Sequence, residues 1–215
     1  MDTIRKKFKN YRFDLVVICT NGSTYLRLYK KIFPIFAKNK DLFQLSPTFF
    51  AFTRDGLLEC AVSNLMKLYD VHKDAISIYK YLNFSEQNMD KLFLKEHHEE
   101  IRKRIKQDRA KLLSEKKVLN NLIIWRNKRL YHLEKGYAGD LNQVFREYII
   151  SIEDFDRLLN LASGLLNYYS NYFDGETHIM EHIMLDLEFQ NLVQQLTSGR
   201  TDAIVEKLRM LSRML

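Results

Sequence analysis

Residues 151–175 read SIEDFDRLLNLASGLLNYYSNYFDG, and this stretch decides the fold class. Phe155, Leu158, Leu159, Ala162, Leu165, Leu166, Tyr169 and Phe173 recur at the three- and four-residue steps of a helix. They therefore share one face, and that face must be covered by other parts of the chain. Ser151 can accept from a first-turn amide while Asp154 answers from the reciprocal position of a capping box. Gly175 supplies the stop, since glycine alone enters the left-handed cap without steric cost.

Working outward, the same spacing predicts helices almost everywhere. One long helix, or two stacked ones, is expected over about Thr3–Lys38, bent at Thr20-Asn21-Gly22. Pro47 suits a helix start, and Leu57, Leu58, Ala61, Leu65 and Leu68 give a helical stripe between Thr48 and Tyr69. A short helix is expected near Ala75–Leu82. The stretch Ser85–Lys117, centred on EEIRKRIKQDRAK, reads as a solvated helix. Ser114 can cap the next helix, which runs through Leu119, Leu122 and Ile123 to about Leu133 before Gly136 and Gly139 end it. Two shorter helices, roughly Ile179–Leu196 and Thr201–Met214, follow. Only two prolines and seven glycines occur, which disfavours a many-turned β fold. No repeat, low-complexity tract or linker is visible. The expectation is one all-α domain over residues 1–215, a bundle with its core at about 5–175 and a helical tail at 176–215.

Composition narrows the class without naming a function. The chain has 215 residues, 46% apolar and 28% charged, as expected of a soluble globular protein. A net charge of +7 suits a phosphate-bearing partner, though only weakly. Cys19 and Cys60 both lie among apolar neighbours and read as two buried thiols in a reducing compartment. The start is basic and then apolar, but the run Leu15–Cys19 is too short for a signal peptide and no cleavage site follows. No stretch approaches the ~20 apolar residues of a membrane span. Cytoplasmic placement without a membrane partner is the expectation.

Residues 125–136, WRNKRLYHLEKG, carry the chemistry. On a straight helix Arg126 falls in the middle of an apolar stripe made by Leu119, Leu122, Ile123, Leu130 and Leu133. A guanidinium there is costly unless a carboxylate, a phosphate or a cavity receives it. The bland reading pairs Arg126 with Asp55, Glu59 or Asp70 and makes it a staple between helices. His132 alone would read as a histidine stabilised by a helix C-terminus. Together, Arg126, Asn127 and His132 match the Arg-x4–6-His motif of the HEPN superfamily, α-helical domains that often act as ribonucleases in bacterial conflict systems. LIIWRNKRLYHLEKGY resembles the "LRNKxxAHLD" segments of the abortive-infection AbiU-like branch. SPTFFAFTRDGLLECAVSNLMKLYD resembles that branch's second helix, AISIYKYL its short following helix, and IEDFDRLLNLASGLLNYYSNYFDG its post-motif helix. Most of residues 5–175 is covered.

The resemblance implies metal-independent cleavage of RNA, with the ribose 2′-OH as nucleophile and a 2′,3′-cyclic phosphate as product. No cofactor is implied and no metal. His132 would be the acid–base group, Arg126 the donor to charge building on the phosphate, and Asn127 the residue orienting phosphate or histidine. Lys128 and Arg129 would hold flanking phosphates and Tyr131 would stack on a base. On a straight α-helix, six residues place Arg126 and His132 about 120° apart. The family's solution is a two-fold homodimer with facing motifs, and an antitoxin or defence-system partner protein is a further expectation. Some HEPN toxins carry a modifiable tyrosine two residues after the histidine; here that position is Glu134, which puts that regulation in doubt. The rival reading is a non-catalytic HEPN domain that binds RNA, nucleotide or a partner protein.

Three other groups compete for attention. His178-Ile-Met-Glu181-His182 spells the inverted zinc-peptidase pattern, but no third ligand or other peptidase feature accompanies it. His97-His98 among acids reads as a solvated face. Arg102, Lys106 and Arg109 share a face that either guides RNA or is ordinary charged surface, given the interspersed Asp108 and Glu115.

Overall fold

In a computed structural model, residues 3–38, 46–130, 140, 142–180 and 183–197 are described. They contain helices and connections and no strand, which makes the protein all-α. Helix α1 spans Thr3–Lys38 and α2 Pro47–Leu68. Short helices α3, Ile78–Gln87, and α4, Met89–Leu92, follow, then a 3₁₀ turn at Lys95–His97. Helix α5 spans His98–Ser114 and α6 Lys116–Trp125, leading into a π-helical turn at Arg126–Leu130. The remaining helices are α7, Gln143–Glu147, α8, Ile152–Asp174, and α9, Ile183–Thr197.

Helices α1, α2 and α8 make the central layer. A Cβ on Gly22 of α1 would lie 3.1 Å from Leu159 of α8 and 3.3 Å from Asn64 of α2, so glycine lets the three backbones approach. Of the two forms expected, one long helix is found: α1 runs unbroken through Thr20-Asn21-Gly22, from Thr3 to Lys38. Phe8, Leu15, Cys19 and Leu26 line its buried face. Lys30 meets Asp156 and Arg12 meets Asp174, so α1 and α8 run antiparallel. Helix α8 carries the predicted capping box, with Ser151 and Asp154 bonded reciprocally. Every residue of its apolar face from Phe155 to Phe173 is buried, and Gly175 ends it in the left-handed region at φ 77°.

The charged stretch departs from expectation. Ile101, Ile105 and Leu112 of α5 point inward, and Asp108 is fully buried. Both oxygens of Asp108 accept from Arg104 Nε at 3.0 Å, and one also accepts from the Tyr169 hydroxyl at 3.0 Å. A buried carboxylate persists because its lone pairs are taken. Glu115, at the α5–α6 junction, holds Arg157 at 2.7 and 2.9 Å. Ser114 does not cap α6; its hydroxyl donates back to the Lys111 carbonyl. Arg109 is taken by Glu86 and Asn83 and is not a free member of a basic face. Cys19 is buried, and that burial pushes its thiol up to about 12. Cys60 is exposed, against expectation. Among the described residues no helix is long and apolar enough to cross a membrane.

Candidate functional site

The motif begins where α6 ends. Leu119 and Leu122 are buried and α6 packs on α2, so the next inward position, Arg126, arrives at the C-terminal end of α2. Asp70 stands there just after that helix. One of its oxygens accepts from the His72 backbone N–H at 2.9 Å, and the other faces Arg126 Nη1 at 3.5 Å. Of the three acids weighed as partners, Asp70 is the one that receives the guanidinium. The C-terminal end of α2 adds its partial negative charge to the same point. Tyr69, fixed by a 2.6 Å bond from its hydroxyl to the Leu158 carbonyl, locks that end of α2 onto α8.

Arg126 is not enclosed. Its side chain is 30% exposed and that of Asp70 25%, and the contact between them is long. Arg126 Nε donates to Asn127 Oδ1 at 3.0 Å, so Asn127, itself exposed, orients the arginine. A planar fork held along one edge by its own neighbour and offset from one carboxylate keeps N–H groups that neither Asn127 nor Asp70 takes.

At Arg126 the helix widens into the π-turn of residues 126–130, with i→i+5 spacing. Such turns are rare and are found frequently at functional sites. The premise of a straight α-helix does not hold over residues 126–130, and His132 lies outside the described residues. Lys128 Nζ lies 5.8 Å from the Tyr148 ring centre. The Arg129 side chain, Tyr131 and His132 lie outside the described residues, as do Leu133, Glu134, Gly136 and Gly139.

Trp125, next to Arg126, turns inward against α7. It is 6% exposed, donates to the Tyr148 carbonyl at 2.7 Å, and packs T-shaped on Phe145 with centroids 4.5 Å apart. This anchor fixes the residue immediately before the motif.

The competing groups separate from one another. His178 lies in the non-helical segment before α9, so the pattern His178-x-x-Glu181-His182 does not start on a helix; Glu181 and His182 lie outside the described residues. His98 is buried, with Nε2 3.1 Å from the Phe93 carbonyl and Nδ1 3.3 Å from Asp90, while His97 packs on the Tyr172 ring. Among the described residues no three His, Cys, Asp or Glu side chains converge as a metal site.

The sequence reading missed Asp70's selection over Asp55 and Glu59, and it missed the π-turn. The first had a signal in the Tyr-Asp pair closing the α2 stripe. The second had none, since a single π-turn leaves no side-chain period.

No curated protein and no solved structure matches the chain. The family model of AbiU2, a HEPN family, matches residues 3–195, which takes in α1, α2, the Arg126 turn and α8. The chain belongs to the AbiU2 family of HEPN domains, an abortive-infection family.

Proposed function

We propose that this chain is a metal-independent endoribonuclease acting in phage defence by abortive infection or as a toxin of a toxin–antitoxin pair. The observation that carries this reading is Arg126. Its guanidinium is oriented by Asp70 and Asn127, is partly exposed, and opens a π-turn inside an Arg-x4–6-His segment. Such a fork matches a phosphate better than a lysine would.

In the reaction, His132 takes the proton of a ribose 2′-OH as that oxygen attacks the adjacent phosphorus. The bond to the 5′-oxygen breaks, a proton goes to that leaving oxygen, and a 2′,3′-cyclic phosphate remains. Arg126 stabilises charge on the non-bridging oxygens. Lys128 and Arg129 hold neighbouring phosphates, and Tyr131 stacks on a base. Asp70 draws part of the Arg126 charge, so one site holds too little positive charge for a phosphate passing through its transition state. A second copy across a two-fold axis supplies the rest, which makes the active form a homodimer. Residues 1–215 act as one domain in this reading, with its core at about 5–175. RNA is the substrate, and a defence-system or antitoxin protein is the regulatory partner.

The same Asp70 contact favours the second reading, a non-catalytic HEPN domain in which Arg126 only joins α6 to α2 and the surface binds RNA, nucleotide or a partner protein. The test is purified protein with RNA in chelator. Cleavage that persists in EDTA, yields cyclic-phosphate ends by mass spectrometry, and disappears in His132→Ala with unchanged circular dichroism is the expected result. Cleavage that survives His132→Ala removes that residue from the mechanism. Strict dependence on added Mg²⁺ or Zn²⁺ rejects the metal-independent mechanism.

A further inference from the structure

The inward turn of Trp125, the residue before Arg126, leaves a cavity of about 240 Å³ between α2, Trp125 and α7. Trp125 and Phe145 form its aromatic wall and Leu58 its apolar side. Two groups of opposite sign edge it, Arg54 and Glu59. Asp55 takes Arg54 through Nε at 2.7 Å, which leaves the two terminal amino groups without a partner among the described residues. Glu59 is exposed and makes no hydrogen bond or ion pair among the described residues. The two side chains start five residues apart on α2, roughly 7.5 Å along its axis.

This combination selects a ligand. The volume falls below the ~300 Å³ at which pockets begin to hold drug-sized ligands, so it suits one heterocycle. Two carboxylates against one guanidinium make it net negative, which admits a base and repels a phosphate. An aromatic wall offers stacking, and a free donor fork and a free carboxylate on the same rim ask for a flat ring with acceptors on one edge and donors on the other. Guanine meets both demands, with O6 and N7 for an arginine fork and N1–H with the 2-amino group for a carboxylate. Adenine presents an amino group where guanine has O6 and an unprotonated nitrogen where guanine has N1–H, so both edges clash. Uracil and cytosine lack N7.

We propose that this cavity, walled by the residue before Arg126, is a guanine pocket that seats one base of an RNA bound at Arg126 and so biases where RNA is cut. The cutting step rests on the ribonuclease reading; the pocket does not. Trp125 is the chain's single tryptophan, so its fluorescence reports occupancy. The full chain is titrated with guanosine, adenosine, cytidine and uridine, and separately given oligoribonucleotides that differ at one base. The expected result is a saturable fluorescence change with guanosine, at least about tenfold weaker with the other three. Glu59→Gln and Arg54→Met should each weaken guanosine about tenfold, with unchanged thermal melts, and cleavage should fall beside guanosine in wild type and lose that bias in Glu59→Gln. Equal responses to all four nucleosides, or guanosine binding unaltered in both variants, overturns the pocket. Cleavage with no base bias and no nucleoside response overturns the pocket and leaves the ribonuclease reading standing. Guanosine-selective fluorescence with no cleavage of any RNA supports the pocket and counts against the ribonuclease reading alone.

Discussion

Arg12 interrupts an apolar helix face between Phe8 and Leu15 of α1, and Arg126 does the same after Leu122 of α6. Arg12 is 5% exposed, with Nη1 at 2.6 Å from Asp174 and Nη2 at 2.6 Å from Glu176, and its guanidinium lies 5.6 Å from the Phe173 ring centre. Arg126 has one carboxylate at 3.5 Å and 30% of its side chain in solvent. The residue type and the apolar setting are the same, but the saturation of the fork differs. A guanidinium with both arms filled by short bonds has nothing to offer a ligand, and its removal takes the shortest partner from the mostly buried Asp174. One held loosely by a single acid contributes little to stability and keeps donors for an incoming anion. The difference separates a staple from a site.

The largest expected effect is on the staple. Arg12→Ala should cost about 3 kcal/mol of stability by leaving Asp174 partly buried with only the longer Lys9 ion pair at 3.7 Å. Urea unfolding of the two proteins measures it, and a cost below that of an ordinary surface ion pair would break the contrast drawn above.

Arg126→Ala should behave in the opposite way. Its stability cost should stay below about 1 kcal/mol, as for exposed pairs. RNA cleavage should fall about 10²–10³-fold, the scale of losing one donor to transition-state charge. Arg126→Lys should not restore it, since a point charge does not replace a planar fork. Paired unfolding and cleavage assays decide. A large stability loss with cleavage intact would make Arg126 a second Arg12.

Legibility from sequence follows the range of the interactions. Helix α8 was fully readable, because its cap, its apolar face and Gly175 are all local. The stripe of α2 and the start at Pro47 were readable for the same reason. Arg126 stood out because its neighbours at helical spacing are apolar, but Arg12 sits on an equally apolar face and drew no notice. Its partners lie 162 and 164 residues away, and nothing local announces them. Asp108 was misread as surface because its environment is made by Tyr169 of another helix. Cys60 was misread because α2 buries its face from Ala61 onward and leaves its own position outside. At the site, the residue types were legible and the geometry was not: the π-turn and the choice of Asp70 depend on how α6 meets the end of α2.

The smallest expected effect tests how closed the Arg12 end is. After Gly175 the chain folds back along α1, held by Arg12 on Glu176, by the Asn167 side chain on both backbone groups of His178 at 2.8 and 3.0 Å, and by the Thr20 hydroxyl on Met180 sulfur at 3.7 Å. The His178 ring sits against this clamp, 3.9 Å from Glu176, with its Nε2 buried and unpartnered. Burial, and then the charge of Arg12, hold the imidazole below its ordinary 6.5, although Glu176 and Asp174 pull the other way. A base with a depressed folded pKa is neutral in the native state while the unfolded chain still binds the proton. Its contribution is therefore complete above 6.5 and declines as pH falls toward the folded value. Asp174 does not confuse this window. Burial opposes its ionisation, but Arg12 outweighs that and keeps it below 3.8, so its contribution is lost only at lower pH. The urea midpoint should fall between about pH 7 and about pH 5, and His178→Asn should flatten that fall while Arg126→Ala leaves it unchanged. Identical pH dependence in wild type and His178→Asn would mean that the ring meets solvent freely. The Arg12 end would then be as open as the Arg126 end.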